Sequence, residues 1–261
     1  MSIEFAGTGR PIGTSNFQDA TVALGVDDAS LWALVAVESR GFGFFRDRRP
    51  VILFERHVFH SRTNGKFSGD NPDISNPTPG GYAKGTAEYD RLEKAMGLDE
   101  RAALESASWG LGQVMGWHAQ QLGYADVYAM VGAIVNDEAT HLQAIVDFLR
   151  GNPPLLRAFQ TRTWAKVAFF YNGANYQKNH YDEKLEQNYQ IFSGDGRQPN
   201  LDLRAAQACL TYLGYLENGV DGIMGRATLA ALAAFRKARG IPPSVDLDPA
   251  TTLQLTAAAN I

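Results

Sequence analysis

The sequence predicts a mostly α-helical protein built from one large helical domain and a small three-helix bundle. Apolar residues recur at helical spacing in several segments of the N-terminal part, around residues 29–39, 87–95, 127–149 and 163–171. The strand-like stretch is short, at residues 51–54, which is too little for a major sheet. A run of turn-forming residues, SGDGRQPN, separates two helical regions and predicts a domain boundary.

This boundary divides the chain into a domain at residues 1–192, a linker at 193–200 and a domain at 201–261. Asp28 and Thr163 are the expected N-caps of two helices in the first domain. Residues 62–85 carry Asn-Pro, Pro-Gly and Gly-Gly pairs and few apolar side chains, which predicts a long irregular loop. In the second domain, residues 201–211, 226–239 and 249–259 predict three short helices.

Composition and charge exclude several classes of function. The 261 residues are 45% apolar and 20% charged, as in folded globular domains, and the net charge of −4 argues against nucleic-acid binding. The single cysteine, Cys209, cannot form an internal disulfide and is expected to be a small buried side chain. We expect neither a cleavable signal peptide nor a transmembrane segment, and no stable association with membranes.

Glu38 lies on the apolar stripe of a predicted helix, with Leu31, Leu34 and Val35 on the same face. It is also in the last turn, where the helix dipole and partial burial both disfavour the ionised carboxylate, so its pKa should rise. A carboxylic acid that stays protonated near neutral pH can protonate the leaving oxygen in glycosidic bond cleavage. The alternative is an ordinary ion pair with a nearby arginine, Arg40, Arg46 or Arg48.

Two further segments favour a sugar-binding cleft. SWGLGQVMG, residues 108–116, combines three glycines with Gln113, whose amide can bind acetamido or hydroxyl groups. Trp109 and Met115 are the large apolar side chains of this segment, and Trp109 is expected in the cleft. FFYNGANY, residues 169–176, presents Tyr171 and Asn172 as a further surface for sugar rings.

In this order, VESRGFG, SWGLGQVMG and FFYNGANY resemble the lysozyme superfamily, in particular goose-type lysozymes and lytic transglycosylases. The sequence is more similar to the N-acetylmuramidase domain of bacteriophage endolysins, through ILFERH at residues 52–57 and the later GGY. The resemblance covers about residues 15–190 and implies a lysozyme-like helical catalytic domain with Glu38 as catalytic acid. It implies that Gln113, Tyr171 and Asn172 line the cleft.

Glu55 is a second candidate catalytic carboxylate. It could position water on the opposite face of the sugar or stabilise positive charge at the anomeric carbon. Alternatively, the Glu-Arg-His run that it begins holds a loop in place through local hydrogen bonds. The histidine spacings match no zinc signature, so we expect neither a metal site nor a cofactor.

The C-terminal pattern of apolar helix positions around Asp221-Gly222 and Gly225 resembles the three-helix peptidoglycan-binding domain over about residues 200–257. The Asp-Gly pair predicts a compact loop with its amides directed outward. The resemblance places the ligand surface near this loop, and it makes Asp221, Gly222 and Arg226 candidate wall-binding residues. Arg236 departs from the family pattern, which usually has Gln at that position.

Together these features predict a peptidoglycan-degrading endolysin that hydrolyses the bond between N-acetylmuramic acid and N-acetylglucosamine. One alternative is a lytic transglycosylase, which leaves 1,6-anhydro-muramic ends. Another is a non-catalytic wall-binding or phage structural protein. The lack of an export signal predicts accumulation in the host cytoplasm, and the endolysin resemblance implies a holin that gives access to the periplasm or cell wall. We expect a monomer. Attachment to the wall would raise the effective substrate concentration.

Overall fold

The computed structural model describes residues 4–194, 198–217 and 219–261 and is dominated by α-helices. The helices of the N-terminal part are α1 Thr14–Leu24, α2 Asp28–Ser39, α3 Arg56–Arg62, α4 Glu88–Met96, α5 Glu100–Glu105, α6 Val127–Ile134, α7 Glu138–Arg150, α8 Pro153–Gln160, α9 Trp164–Asn172 and α10 Tyr181–Ser193. The C-terminal helices are α11 Leu201–Tyr212, α12 Arg226–Arg239 and α13 Pro249–Ala259. The predicted mostly α fold is confirmed.

A small antiparallel sheet lies between helices of the first domain. Its strands are β1 Ile52–Phe54, β2 Ala107–Trp109 and β3 Val114–Met115, in the order β1-β2-β3. Ile52 pairs with Trp109, and Trp109 pairs with Val114, so β2 is the central strand. The glycine-rich turn between β2 and β3 is therefore held on a fixed support beside the helices.

Three large apolar clusters stabilise the chain. One lies among α1, α2 and α7 to α10, a second packs around the sheet with α4, α5 and α6, and a third belongs to the C-terminal helices. The third cluster contains Cys209, which is fully buried, as predicted. The C-terminal helices thus have a core of their own, which burial of apolar surface makes stable.

The structure corrects two details of the first domain and confirms the position, but not the hydrogen bond, of a third. The predicted helix at residues 127–149 is two helices, because Asp137 caps a new helix by accepting a hydrogen bond from the Thr140 amide at 2.8 Å. Asp27, not Asp28, caps α2 by accepting from the Ser30 amide at 2.8 Å. Thr163 does precede α9, but its side chain makes no capping hydrogen bond.

The predicted loop at residues 62–85 consists mainly of turns between α3 and a short 3₁₀ helix at Gly85–Ala87. Residues 195–197 of the predicted linker lie outside the described residues; α10 ends before them and α11 begins after them. Within the described residues, no single helix has the length and apolarity to cross a membrane, although α1 and α2 meet this criterion as a pair bent by 106°.

Candidate active site

Glu38 lies in the last turn of α2, at the edge of a cavity of about 740 Å³. The helix stops one residue later, because Arg40 adopts a left-handed conformation with φ of 57° and Gly41 follows with φ of 93°. This abrupt end turns the chain away from the helix axis and leaves the Glu38 side chain half-buried at the cavity wall.

Burial raises the pKa of Glu38 from its ordinary 4.5 to about 7. The Tyr181 hydroxyl donates a hydrogen bond to Glu38 Oε1, which acts in the opposite direction and lowers the pKa. Tyr181 is the first residue of α10, which packs along α2. Burial and the negative charge of Glu38 raise the pKa of the Tyr181 hydroxyl well above its usual range, so it remains a donor at any physiological pH.

Tyr171 packs against Tyr181 and extends this arrangement. Its ring stacks on that of Tyr181 with the centroids 6.5 Å apart, and its hydroxyl donates to the Gly112 carbonyl at 2.8 Å. The charge of Glu38 contributes, after burial, to raising the pKa of Tyr171. The predicted residues Glu38 and Tyr171 are therefore neighbours, linked through a tyrosine that the sequence analysis did not select.

Gly110 and Gly112 are required by close packing in the turn between β2 and β3. A Cβ at Gly112 would lie 2.2 Å from Ile145 Cγ1, and one at Gly110 would lie 2.6 Å from His141 Nδ1. The buried His141 accepts from the Leu111 amide at 3.2 Å through Nδ1, while its Nε2 lies 2.7 Å from the Ile134 carbonyl. Burial lowers the pKa of His141, in keeping with a neutral ring that makes both contacts.

Gln113 supports this turn from within. Its Nε2 donates to the Val51 and Gly110 carbonyls at 3.1 and 2.8 Å, and its Oε1 accepts from the Ser108 hydroxyl at 2.8 Å. The polar atoms of the Gln113 side chain, which were predicted to bind a sugar, thus form hydrogen bonds within the protein. Val51 lines the cavity at Glu38, so Gln113 holds part of the cavity wall.

The other residues predicted to bind substrate occupy different environments. Trp109 is only 1% exposed and donates its indole N–H to the Leu104 carbonyl at 3.2 Å. The structure therefore places it in the core and not in the cleft, because β2 is the buried central strand. Met115 is half-buried in β3, whereas Asn172 is exposed at the end of α9.

Glu55 directly follows β1 and precedes α3. Its carboxylate accepts from the Tyr82 hydroxyl at 3.0 and 3.2 Å and lies 3.1 Å from His57 Nδ1. Burial and the Glu55 charge raise the pKa of Tyr82 to about 12. Among the described residues that line the cavity at Glu38, Glu55 is absent. Ala83, which follows Tyr82 in the chain, does line this cavity.

The arginine-pairing alternative for Glu38 has no support among the described residues, because none of their ion pairs includes Glu38. Arg40 and Arg46 line the cavity, while Arg48 donates to the Thr8 carbonyl at 2.8 Å and lies over the Tyr212 ring. The charge on Glu38 is therefore compensated by a hydroxyl and not by a guanidinium.

The Asp221 loop of the C-terminal domain is compact, as predicted, but its amides point inward. Those of Asp221 and Gly222 donate to Gln207 Oε1 at 3.0 and 2.7 Å, and Gln207 is fully buried. Gly222 has φ of 74° and no room for a Cβ beside Asn200. Asp221 Oδ1 accepts from Gln207 Nε2 and from the Ile223 amide at 3.0 and 2.9 Å. The side chains of Asp221 and Arg226 are nevertheless exposed, so they, and not the amides, face solvent.

Sequence reasoning missed Tyr181 and His141. Tyr181 and Leu185 are four residues apart and both buried, which is the spacing of a helix face turned towards another helix. That pattern could have placed Tyr181 in an interface, but no local signal pairs it with Glu38. His141 lies among the apolar positions of α7, where a polar ring needs partners that only the fold supplies.

Comparisons with known proteins agree with the motifs. The N-acetylmuramidase family model matches residues 27–193, and a peptidoglycan binding domain model matches residues 200–255. The crystal structure of the Burkholderia AP3 phage endolysin is similar, with a TM-score of 0.65 and 41% identity over 70% of this chain and 71% of that chain. A comparison with curated protein sequences gave no match. The chain belongs to the N-acetylmuramidase family of glycoside hydrolases and carries a C-terminal peptidoglycan-binding domain.

Proposed function

We propose that this protein hydrolyses the glycosidic bond between N-acetylmuramic acid and N-acetylglucosamine in peptidoglycan, with Glu38 as the general acid, and thereby lyses the bacterial wall. The observation that carries the proposal is the pKa of about 7 for a carboxyl group at the wall of a large cavity. A group with this pKa still holds its proton in a substantial fraction of molecules at neutral pH.

Glu38 transfers this proton to the oxygen that leaves the anomeric carbon as the glycosidic bond breaks. The carboxylate that results is charged and poorly hydrated, and the Tyr181 hydroxyl stabilises it by donating to Oε1. A water molecule then adds its hydroxyl group to the anomeric carbon and releases a proton, which restores the acid form of Glu38, so that the products together gain one water. Tyr181 keeps its own proton throughout, because its pKa is far above neutral.

Glu55 has a supporting role in this proposal. Its contacts with Tyr82 and His57 favour the loop-holding alternative. In this alternative, Glu55 fixes Tyr82 and thereby the neighbouring Ala83, which lines the cavity. Gln113, Tyr171, Asn172 and Met115 are proposed to shape or line the substrate cleft. Asp221 and Arg226 are proposed to contribute to the wall-binding surface of the C-terminal domain, and Gly222 to fix the loop that carries Asp221.

The test is product analysis on purified peptidoglycan for wild type, Glu38→Gln and a control, Glu93→Gln, which alters an exposed glutamate on α4. Glu38→Gln should lower the rate by about 100-fold or more, the usual contribution of a general acid. Wild type and the control should release reducing ends whose mass includes one added water. Unchanged lysis by Glu38→Gln would reject the acid, and anhydro-muramic ends would identify a transglycosylase instead.

The resemblance to a phage endolysin also supports a mode of delivery. In this mode, the protein accumulates as a monomer in the host cytoplasm and reaches the periplasm or wall once a holin has opened the membrane. Its measurable consequence is that lysis of cells expressing the protein depends on the pore.

A further inference from the structure

The cavity at Glu38 has walls from both domains. Glu38 and Lys84 belong to the N-terminal domain, whereas Thr211, Glu217 and Val220 belong to the C-terminal domain. Thr211 is in α11, and the other two lie in the segment that leads towards α12. The N-terminal domain alone therefore leaves one side of this cavity open.

A buried ion pair holds the two domains together. Arg204 of α11 donates from Nη1 and Nη2 to the two carboxylate oxygens of Glu138 at 2.6 and 2.8 Å, and both side chains are fully buried. Glu138 also accepts from the amides of Ile12 and Gly43 at 3.0 and 2.8 Å. Both charges are thus paired and further hydrogen-bonded, which makes a buried pair tolerable and fixes its geometry.

The same arginine contacts the chain immediately after Glu38. Arg204 Nε donates to the Gly41 carbonyl at 3.0 Å, and its guanidinium lies over the Phe42 ring. Phe42 packs with Val220 in a small apolar cluster between the domains. A Cβ on Gly41 would lie 3.2 Å from the Val220 carbonyl, so the two backbones are in close contact. The contacts that attach the C-terminal domain therefore also hold the chain segment that follows the end of α2, close to Glu38.

Glu217 is the exposed charged group on the C-terminal side of the cavity. A carboxylate is an acceptor for the hydroxyl and acetamido N–H groups that N-acetylated sugars present along a glycan strand. Its exposure to solvent leaves it available to such a ligand. Asp202, also exposed and also on the C-terminal domain, lines a different cavity with Arg10 and provides a natural comparison.

We propose that the peptidoglycan-binding domain completes the catalytic cleft, with Glu217 binding the glycan strand that Glu38 cleaves and Arg204 holding this wall in place. The proposal rests on the assignment of Glu38 as the acid. It gives the C-terminal domain a role that differs from that of a tether. A tether raises the local concentration of an insoluble polymer only, whereas a cleft wall contributes to every turnover, including those on soluble fragments.

The first experiment uses the full chain and soluble, peptide-bearing glycan fragments. Glu217→Gln and Asp202→Asn each remove one exposed negative charge with little change in size. We expect Glu217→Gln to raise KM by about fivefold, because glutamine keeps an acceptor oxygen but loses the charge that strengthens the hydrogen bond, with kcat nearly unchanged. Asp202→Asn should behave as wild type. Equal KM values for the two variants would overturn the proposal.

The second experiment tests the positioning role of Arg204. Arg204→Met should lower kcat on the soluble fragments by about 100-fold, as expected when a catalytic group is displaced by an ångström or so, and Arg204→Lys should restore part of it. Both variants should still sediment with purified wall, which verifies that the C-terminal domain is folded. Wild-type kcat on soluble fragments for Arg204→Met would refute this role.

The outcomes separate this proposal from the assignment of the acid. Inactive Glu38→Gln together with indistinguishable Glu217→Gln and Asp202→Asn would refute the shared cleft alone. Active Glu38→Gln together with a raised KM for Glu217→Gln would refute the assigned acid, while the contribution of the C-terminal domain to substrate binding would stand.

Discussion

Replacing Tyr181 by Phe should move the pH dependence of catalysis to higher pH. The variant keeps the ring that stacks on Tyr171 and removes the hydroxyl that donates to Glu38 Oε1. That hydrogen bond lowers the pKa of Glu38 against the effect of burial. Without it, burial acts unopposed, and the pKa of Glu38 rises above the value of about 7 that it has in the wild type.

The magnitude follows from the strength of the bond. A hydrogen bond to a charged group contributes about 1.5–3 kcal/mol, and each pKa unit corresponds to about 1.4 kcal/mol, so the shift should be about one to two units. The general acid is active when protonated, and activity is lost as the pH rises through its pKa. The alkaline limb of the kcat/KM profile should therefore move upward by this amount.

The assay is the initial rate on soluble peptidoglycan fragments as a function of pH. The matched control is Tyr189→Phe on the same helix, whose hydroxyl lies 3.4 Å from Asp27 Oδ2 and not at Glu38. Its alkaline limb should coincide with that of wild type. An unshifted limb for Tyr181→Phe, or one shifted downward, would show that the hydroxyl does not stabilise the Glu38 carboxylate.

Two further predictions concern stability and attachment. Because folding raises the pKa of Glu38 from 4.5 to about 7, the wild type loses up to about 3 kcal/mol of stability as the pH rises across this interval. Glu38→Gln lacks this loss, so urea unfolding should show a larger gain over wild type at about pH 8 than at about pH 4, and an equal gain would contradict the raised pKa. Residues 198–261, which have their own apolar core, should sediment with purified wall as an isolated fragment. Arg226→Ala should weaken this binding, and a fragment that stays in the supernatant would remove the tethering role.

Much of the fold could be predicted because the helices are amphipathic over most of their length. The bounds of α12 and α13 match the apolar pattern, and those of α2 and α9 differ from it by a residue. The break between α6 and α7 was missed because both helices carry buried apolar residues at helical spacing, although those of α6 pack around the sheet and most of those of α7 pack with α1 and α2. The available signal for the start of α7 was Asp137, a residue type that favours the N-cap position.

The site could be predicted only in part, because its parts come from distant segments. Glu38 has a local signature, a carboxylate on an apolar stripe before a glycine. Its partner Tyr181 is 143 positions away in the chain, and Arg204 is 66 positions from Glu138. Such pairs depend on which helices pack together, and a single sequence carries no signal for this. Gln113 shows the converse, since its residue type suggested a ligand, whereas its amide hydrogen-bonds to two backbone carbonyls and to the Ser108 hydroxyl.

The opposing influences on Glu38 suit it to the proposed role of general acid. Burial alone would hold the proton so firmly that releasing it would leave an unpaired charge in poorly hydrated surroundings, at a cost of several kcal/mol. An arginine partner would have the reverse effect and keep the group ionised. A neutral hydroxyl stabilises the carboxylate without forcing ionisation, and the pKa of about 7 makes both protonation states accessible. Proton transfer is most efficient when the pKa of the acid lies near the working pH, so in the proposed mechanism the Tyr181 hydrogen bond is as important as the burial that it opposes.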